Sequence, residues 1–332
     1  MKVGVVGAGS WGTTLADLLA RNGHEVSLWA REPEVVESIR RERINRLFLP
    51  DSPLASGLDA SGDLAAVCTG ADVLVVAVPS HVIRQVAADL ARILGMARPL
   101  VVCVSKGLEP ETLDLLTDVL DDALPRATTV ALSGPSFAQE VYQRQPTAIV
   151  AASREPQAGE TVQQVFSNRE FRVYTSHDLV GVQLGGALKN VIAIAAGMLE
   201  GMGMGHNPRA ALITRGLAEM ARLGEALGGE PLTFAGLAGM GDLLLTATGA
   251  LSRNRSLGMD LGRGRTLAEI LGQRRTVAEG VTTAKAAVAL GQRAGVELPI
   301  ANEVARILFD GKAPRQAVRD LMERDLKAEQ WR

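Results

Sequence analysis

The chain has 332 residues, enough for two domains at roughly 150 residues each, and either half can bury a core without disulfides or a metal. A 47% hydrophobic and 22% charged composition excludes a disordered chain, and a net charge of −2 excludes the broad basic field of a dedicated nucleic-acid binder. Only 11 residues are aromatic (six Phe, three Trp, two Tyr), which leaves little for base stacking and assigns the core to Ala, Leu, Val and Ile.

Val3 to Val6 is a short apolar run rich in β-branched residues, followed by Gly7-Ala8-Gly9-Ser10-Trp11-Gly12 and then by Leu15, Leu18 and Leu19 at helical spacing. Asn22-Gly23 marks a turn and Glu25 to Ala30 a second strand, so the first 30 residues read as a βαβ unit. The alternation continues with strands at Asp72–Val78, Pro99–Val104, Thr128–Leu132, Thr147–Ala152 and Phe171–Thr175. Helices are expected over His81–Leu94, Pro110–Leu120 and Pro156–Phe166. Near-continuous apolar strands separated by helices predict a parallel, doubly wound sheet covered on both faces. The pattern changes near Ser176. From His177 onward only helical periodicity remains, over Leu184–Leu199, Pro208–Leu227, Val277–Ala294 and Asn302–Leu308. Asn207 is placed to cap the second of these with Pro208 behind it, and Gly228-Gly229 to end it. The expected division is a dinucleotide-binding α/β domain over 1–177 and a helical domain over 178–332.

Cys68 and Cys103 lie in apolar surroundings without C-x-x-C spacing, which suits two buried thiols in a reducing compartment. The longest apolar stretch, Val191–Leu199, is shorter than the roughly 20 residues a bilayer requires. After Met1 and Lys2 the chain enters a strand pattern with no signal-peptide core, so a cytoplasmic location without membrane insertion is expected.

Gly7-x-Gly9-x-x-Gly12 between a strand and a helix is the dinucleotide fingerprint. Its first glycine permits the tight turn, the second lets backbone approach a pyrophosphate, and the third lets helix and strand pack closely. At the end of the second strand Arg31 stands where a 2′-phosphate would be held and Glu32 one position late for the ribose hydroxyls, compatible with either NAD or NADP. Lys106 and the Gly134–Ser136 turn follow strand carboxyl ends, where such sheets place their ligands; each also reads as a plain surface turn. Lys189 and Asn190 interrupt the small, apolar segment GVQLGGALKNVIAIAAG. A lysine buried there is costly unless it serves chemistry, while an exposed stripe would make it ordinary. Asp242 is either a helix N-cap or a site carboxylate, and Ser252-Arg253-Asn254-Arg255 either a surface loop or a phosphate grip. His24, His81, His177 and His206 are scattered without metal-ligand spacing, so no metal is expected.

Taken together these motifs resemble bacterial-type NAD(P)-dependent glycerol-3-phosphate dehydrogenase nearly end to end. The resemblance rests on GAGSWGTTLA at 7–16, SKGLE at 105–109, SGPSFAQEV at 133–141, GALKNVIAIAAG at 186–197 and AALITRGLAEM at 210–220. TFAGLAGMGDLLLT at 233–246, SRNR at 252–255, TVAEGV at 276–281 and ELPI at 297–300 complete it. It implies a Rossmann domain followed by a helical domain like that of 6-phosphogluconate dehydrogenase, and reduction of dihydroxyacetone phosphate to sn-glycerol 3-phosphate for phospholipid synthesis. It implies Lys189 as general acid/base with Asp242 beside it. Lys106, Gly134, Ser136, Asn190, Asp242, Ser252, Arg253 and Asn254 would meet the substrate. The fingerprint glycines, Ser10, Trp11, Arg31, Phe48, Lys106, Ala138, Arg253, Val277 and Glu279 would meet the cofactor. A homodimer is implied as well. Pro208 and Glu32 depart from the family's usual residues. Two other readings share these features: a dehydrogenase of a hydroxy or sugar acid, and a non-catalytic redox sensor.

Overall fold

Ten strands and sixteen α-helices order the residues described by the computed structural model, namely 1–273, 278–326, 328 and 329. The strands are β1 (Lys2–Val6), β2 (Glu25–Trp29), β3 (Ile44–Asn45), β4 (Leu49–Pro53), β5 (Leu58–Ser61), β6 (Val73–Val76), β7 (Leu100–Cys103), β8 (Thr128–Ser133), β9 (Thr147–Ala152) and β10 (Phe171–Ser176). Eight of them form one sheet in the order β10-β9-β8-β7-β6-β1-β2-β5, and β3 and β4 make a separate hairpin. Around the sheet lie α1 (Ser10–Arg21), α2 (Pro33–Glu42), α3 (Leu64–Cys68), α4 (Ile83–Leu94), α5 (Leu116–Ala123), α6 (Ala138–Tyr142) and α7 (Pro156–Phe166). The apolar residues on its two faces enter two separate clusters, one with Val5 and Leu28 under α1, the other with Leu74 and Val76 under α4.

The sheet departs from the expected all-parallel arrangement at one edge: β9 runs antiparallel to β8, and β10 pairs parallel with β9. The link between β8 and β9 contains only the five-residue α6, about 7.5 Å of helix, too short to return the chain along the six-residue β8, about 20 Å. A second correction concerns 110–120. The helix begins only at Leu116, because Glu109 ties up the preceding backbone: its Oε2 accepts from the N–H groups of Glu111 (2.9 Å) and Thr112 (2.6 Å), and Leu113 takes a left-handed φ of 68°. Residues 31–71, which carry no strong periodicity, hold α2, the hairpin, β5 and α3.

After Ser176 every regular element among the described residues is helical: α8 (Leu179–Gly201), α9 (His206–Ala226), α10 (Pro231–Ala235), a single π-helical turn (Leu237–Gly241), α11 (Asp242–Thr248), α12 (Arg253–Gly262), α13 (Leu267–Gly272), α14 (Glu279–Ala294), α15 (Pro299–Phe309) and α16 (Pro314–Met322). Asp178 caps α8 through Gly181 N–H (2.7 Å). Gly205, not Asn207, is the N-cap of α9, so Pro208 falls third in a first turn whose N–H groups have no helical partner anyway. Gly228 ends that helix at φ 89°. The strip Leu179–Leu199 is buried on every side except at Val180, as an all-round apolar helix must be. Long and apolar enough by itself to span a membrane, α8 has 94% of its most apolar window covered by the rest of the fold.

Candidate active site

At the carboxyl end of β1 the glycines are used in three different ways. Gly7 turns the chain at φ 116°, and a Cβ there would lie 2.6 Å from the Ala77 carbonyl oxygen. A Cβ on Gly12 would come within 1.9 Å of the Gly7 carbonyl, so this glycine sets how closely α1 meets the strand. A Cβ on Gly9, the N-cap of α1, would meet nothing within 4 Å, and no side chain caps the helix. The open helix N-terminus therefore offers its partial positive charge and free N–H groups to an anion, the environment a dinucleotide pyrophosphate requires.

Neighbouring residues frame that mouth. Ser10 Oγ donates to the Phe48 carbonyl (2.6 Å), which brings the β3–β4 hairpin over the fingerprint. Asn45, unremarked in the sequence, holds this arrangement by donating to Ala8 O (2.8 Å) and accepting from Phe48 N–H (3.1 Å). Trp11 Nε1 is buried with no hydrogen-bond partner among the described residues, an orphan donor beside the fingerprint. Ala138 lies next to α1 through Thr14 Oγ1, which donates to its carbonyl (3.2 Å). Arg31 is 80% exposed and paired with Glu32 (2.9 Å). Glu279, at the start of α14, reaches the α/β half: its carboxylate accepts from Ser80 Oγ (2.7 Å). Val277 lies outside the described residues. The open Gly9 face, the uncapped helix and the orphan indole N–H together fit a dinucleotide.

Between the two halves a carboxylate joins two lysines. Lys189 is 6% exposed and Asp242 1%, so the alternatives of an exposed stripe and a simple N-cap do not hold; the N-cap of α11 is Gly241, with no side-chain bond. Lys189 Nζ donates to Asp242 Oδ1 (2.5 Å) and to Thr246 Oγ1 (2.8 Å), while Lys106 Nζ donates to Asp242 Oδ2 (2.7 Å) and to the Gly134 carbonyl (2.8 Å). Burial lowers the Lys189 amine from its ordinary 10.5 to about 7; Asp242 works against this and Lys106 adds to it. Thr246 escaped sequence reading, although its position four residues after Asp242 puts it on the same helix face.

Gly134 holds φ 142°, and Ser136 Oγ donates to its carbonyl (3.0 Å). The next residue after Lys189 extends the site sideways: Asn254 Nδ2 donates to Asn190 Oδ1 (2.9 Å), and Asn254 Oδ1 accepts from Gly280 N–H (3.0 Å). Ser252 is the N-cap of α12, its Oγ accepting from Arg255 N–H (3.2 Å), and Arg253 opens the helix with an exposed side chain. The structure thus gathers Lys106, Gly134, Ser136, Lys189 and Asp242 around one point, with Asn190 and Asn254 leading from it to the N-terminus of α12. Among the described residues no group of three or more His, Cys, Asp or Glu side chains converges as metal ligands would.

Comparison with known proteins agrees along the whole chain. The family model for the NAD-dependent glycerol-3-phosphate dehydrogenase N-terminus matches residues 2–159, and that for the C-terminus matches 178–319. The glycerol-3-phosphate dehydrogenases [NAD(P)+] of Geobacter sulfurreducens and Geobacter metallireducens are each 56% identical, over 99% of this chain and 99% and 98% of theirs. The crystal structure of glycerol-3-phosphate dehydrogenase from Coxiella burnetii superposes with a TM-score of 0.93 at 39% identity, covering 97% of this chain and 98% of that one.

Proposed function

The chain belongs to the NAD-dependent glycerol-3-phosphate dehydrogenase family, and we propose that it works as a reductase of dihydroxyacetone phosphate, with Lys189 as the proton donor. It is an NAD(P)-dependent oxidoreductase of glycerol 3-phosphate with a Rossmann-type sheet and a helical second half. The observation that carries the proposal is the buried Lys189–Asp242–Lys106 cluster, which draws one lysine from each half onto a single carboxylate.

When bound, the reduced nicotinamide supplies the hydride that the ketone carbon receives. Gly7, Gly9, Gly12 and the N-terminus of α1 would hold the pyrophosphate, Ser10, Trp11, Phe48 and Ala138 would also meet the cofactor, and Arg31 would stand at its adenosine ribose end. Lys106, Arg253 and Glu279 would also meet the cofactor, as would Val277 by its place in the sequence motif TVAEGV. As negative charge develops on the substrate carbonyl oxygen, Lys189 Nζ passes it a proton; in the reverse direction the neutral amine takes the proton back. Asp242 orients Lys189 and neutralises part of the charge of the lysine pair. Lys106, Gly134, Ser136 and Asn190 surround the reacting end of the substrate. Ser252, Arg253 and Asn254, at the N-terminus of α12, hold the phosphate, whose binding energy positions the ketone.

This reading places the dinucleotide-binding domain at 1–177 and the helical domain at 178–332, and gives the enzyme as a cytoplasmic homodimer whose product feeds phospholipid synthesis. Cys68 and Cys103, both free and buried, suit a reducing compartment. Steady-state oxidation of NADH and NADPH with a panel of carbonyl substrates tests it. Dihydroxyacetone phosphate is expected to exceed unphosphorylated dihydroxyacetone by about a hundredfold or more in kcat/KM, because only the first spends phosphate binding on positioning. Faster turnover of a keto acid or sugar acid, or cofactor binding without any turnover, would overturn it.

A further inference from the structure

Ser252-Arg253-Asn254-Arg255 carries two arginines, and the structure sends them in opposite directions. Arg253 is exposed at the mouth of the site, whereas the Arg255 side chain turns inward and is only 14% exposed. There it forks onto Glu200: Nε donates to Oε2 (2.9 Å) and Nη2 to Oε1 (2.5 Å), while Nη1 reaches the Gly249 carbonyl (3.4 Å) at the turn between α11 and α12. Arg209 of α9 approaches the same carboxylate (3.5 Å), and His206 accepts from Arg209 behind it (2.8 Å). Glu200 lies in the last turn of α8, where a carboxylate opposes the helix dipole, so its placement does not serve α8 itself.

The two helices joined by this pair touch backbone to backbone. A Cβ on Gly197 or Gly201 of α8 would lie 2.0 Å from the Arg255 carbonyl oxygen or 2.2 Å from that of Met259. A Cβ on Gly258 or Gly262 of α12 would lie 2.0 Å from Ile194 O or 2.3 Å from Met198 O. Such a seam fixes the separation of the two helices and sets each glycine opposite one carbonyl of the other helix. The planar, bidentate Arg255–Glu200 fork adds a directional side-chain tie that holds this register at the start of α12. Three residues before Gly197, the Ile194 carbonyl faces Gly258 in the same seam, and nearer the site Asn254 meets Asn190, the neighbour of Lys189.

We propose that Arg255, held by Glu200, is a positioning residue: it sets the N-terminus of α12 relative to Lys189 and so governs affinity for the substrate phosphate without touching it. The inference rests on the reading of α12 and Arg253 as the phosphate clamp. Its test uses the full chain with Arg255→Lys, Glu200→Gln and, as a separate arm, Arg253→Ala. The readouts are KM for dihydroxyacetone phosphate, competitive inhibition by inorganic phosphate, the pH midpoint of kcat and the melting temperature. Arg255→Lys and Glu200→Gln are each expected to raise that KM and weaken phosphate inhibition by about tenfold or more, the scale of a small misplacement of a clamp, with the pH midpoint unchanged. Folded variants with both constants within about twofold of the parent overturn the inference, as does a loss of kcat with a shifted pH midpoint. If Arg253→Ala leaves phosphate inhibition intact, the clamp reading itself fails and the inference with it. If Arg253→Ala weakens inhibition while the other two variants do not, only the inference fails.

Discussion

A lysine buried beside a second lysine gives up its proton more readily than one in water, and Lys189, lowered to about 7, is thereby matched to proton transfer near neutral pH. The sign of the consequence is fixed. With Lys189 as the proposed proton donor, ketone reduction would need the protonated amine, so its kcat is expected to fall as pH rises through about 7; alcohol oxidation would need the neutral amine, so its kcat is expected to rise through the same region. Initial rates in both directions from about pH 6 to about pH 9 check this, and parallel or flat profiles would refute it. Lys189 was legible because a charged residue inside GALKNVIAIAAG has no ordinary reason to be there. Asp242 was only half legible. Its partners stand 53 and 136 positions away, and locally it looks like a helix cap. Ser80 was not legible at all, since the carboxylate it meets on Glu279 lies 199 residues on.

Among the elements, the fingerprint turn separates fold from binding. Gly12 has backbone 1.9 Å from where its Cβ would be, whereas Gly9 has open space and an extended backbone at φ −63° that alanine can adopt. Gly9→Ala is therefore expected to keep the melting temperature within a few degrees while weakening dinucleotide binding by about tenfold or more, since the methyl group would enter the space proposed for the pyrophosphate. Fluorescence titration with NADH and a thermal melt check the two halves of that statement. Glu219 shows a different use of a helix end. Buried in α9, it accepts from the first-turn N–H groups of Ile300 (2.8 Å) and Ala301 (3.3 Å) in α15. Burial outweighs those bonds and raises its carboxyl to about 7 from 4.5. A raised acid favours the folded state most when protonated, so its contribution is present below about 4.5 and is lost as pH rises through about 7. Across that window the melting temperature of the parent is expected to fall with pH more steeply than that of Glu219→Gln, which no longer titrates; identical pH dependence of both would refute the assignment. Periodicity alone saw α8 and the strands because their apolar patterns are long and regular. It overran into 110–115 because the Glu109 carboxylate, not a hydrophobic pattern, decides that turn.

Across the whole molecule, a net charge of −2 conceals a local excess of positive charge where the halves meet, two lysines on one aspartate with Arg253 nearby. The halves are also pinned by hydrogen bonds that are not ion pairs, Gln183 with Thr117 (2.8 and 3.1 Å) and Ser80 with Glu279, none of which local patterning reveals because each joins residues distant in sequence. Hydrophobic periodicity distinguishes a sheet half from a helical half; it says nothing of which polar side chains will face each other across the seam. The reversed β9 escaped for a related reason, because strand direction depends on the reach of the connection and not on the strand's own residues. Lys189 is the residue proposed to move the proton. The direct measurement is kcat for dihydroxyacetone phosphate reduction by Lys189→Ala beside the parent near pH 7, with NADH affinity determined for both. A fall of about 10²- to 10⁴-fold with cofactor affinity retained is the predicted result, and a kcat within about tenfold of the parent would contradict it.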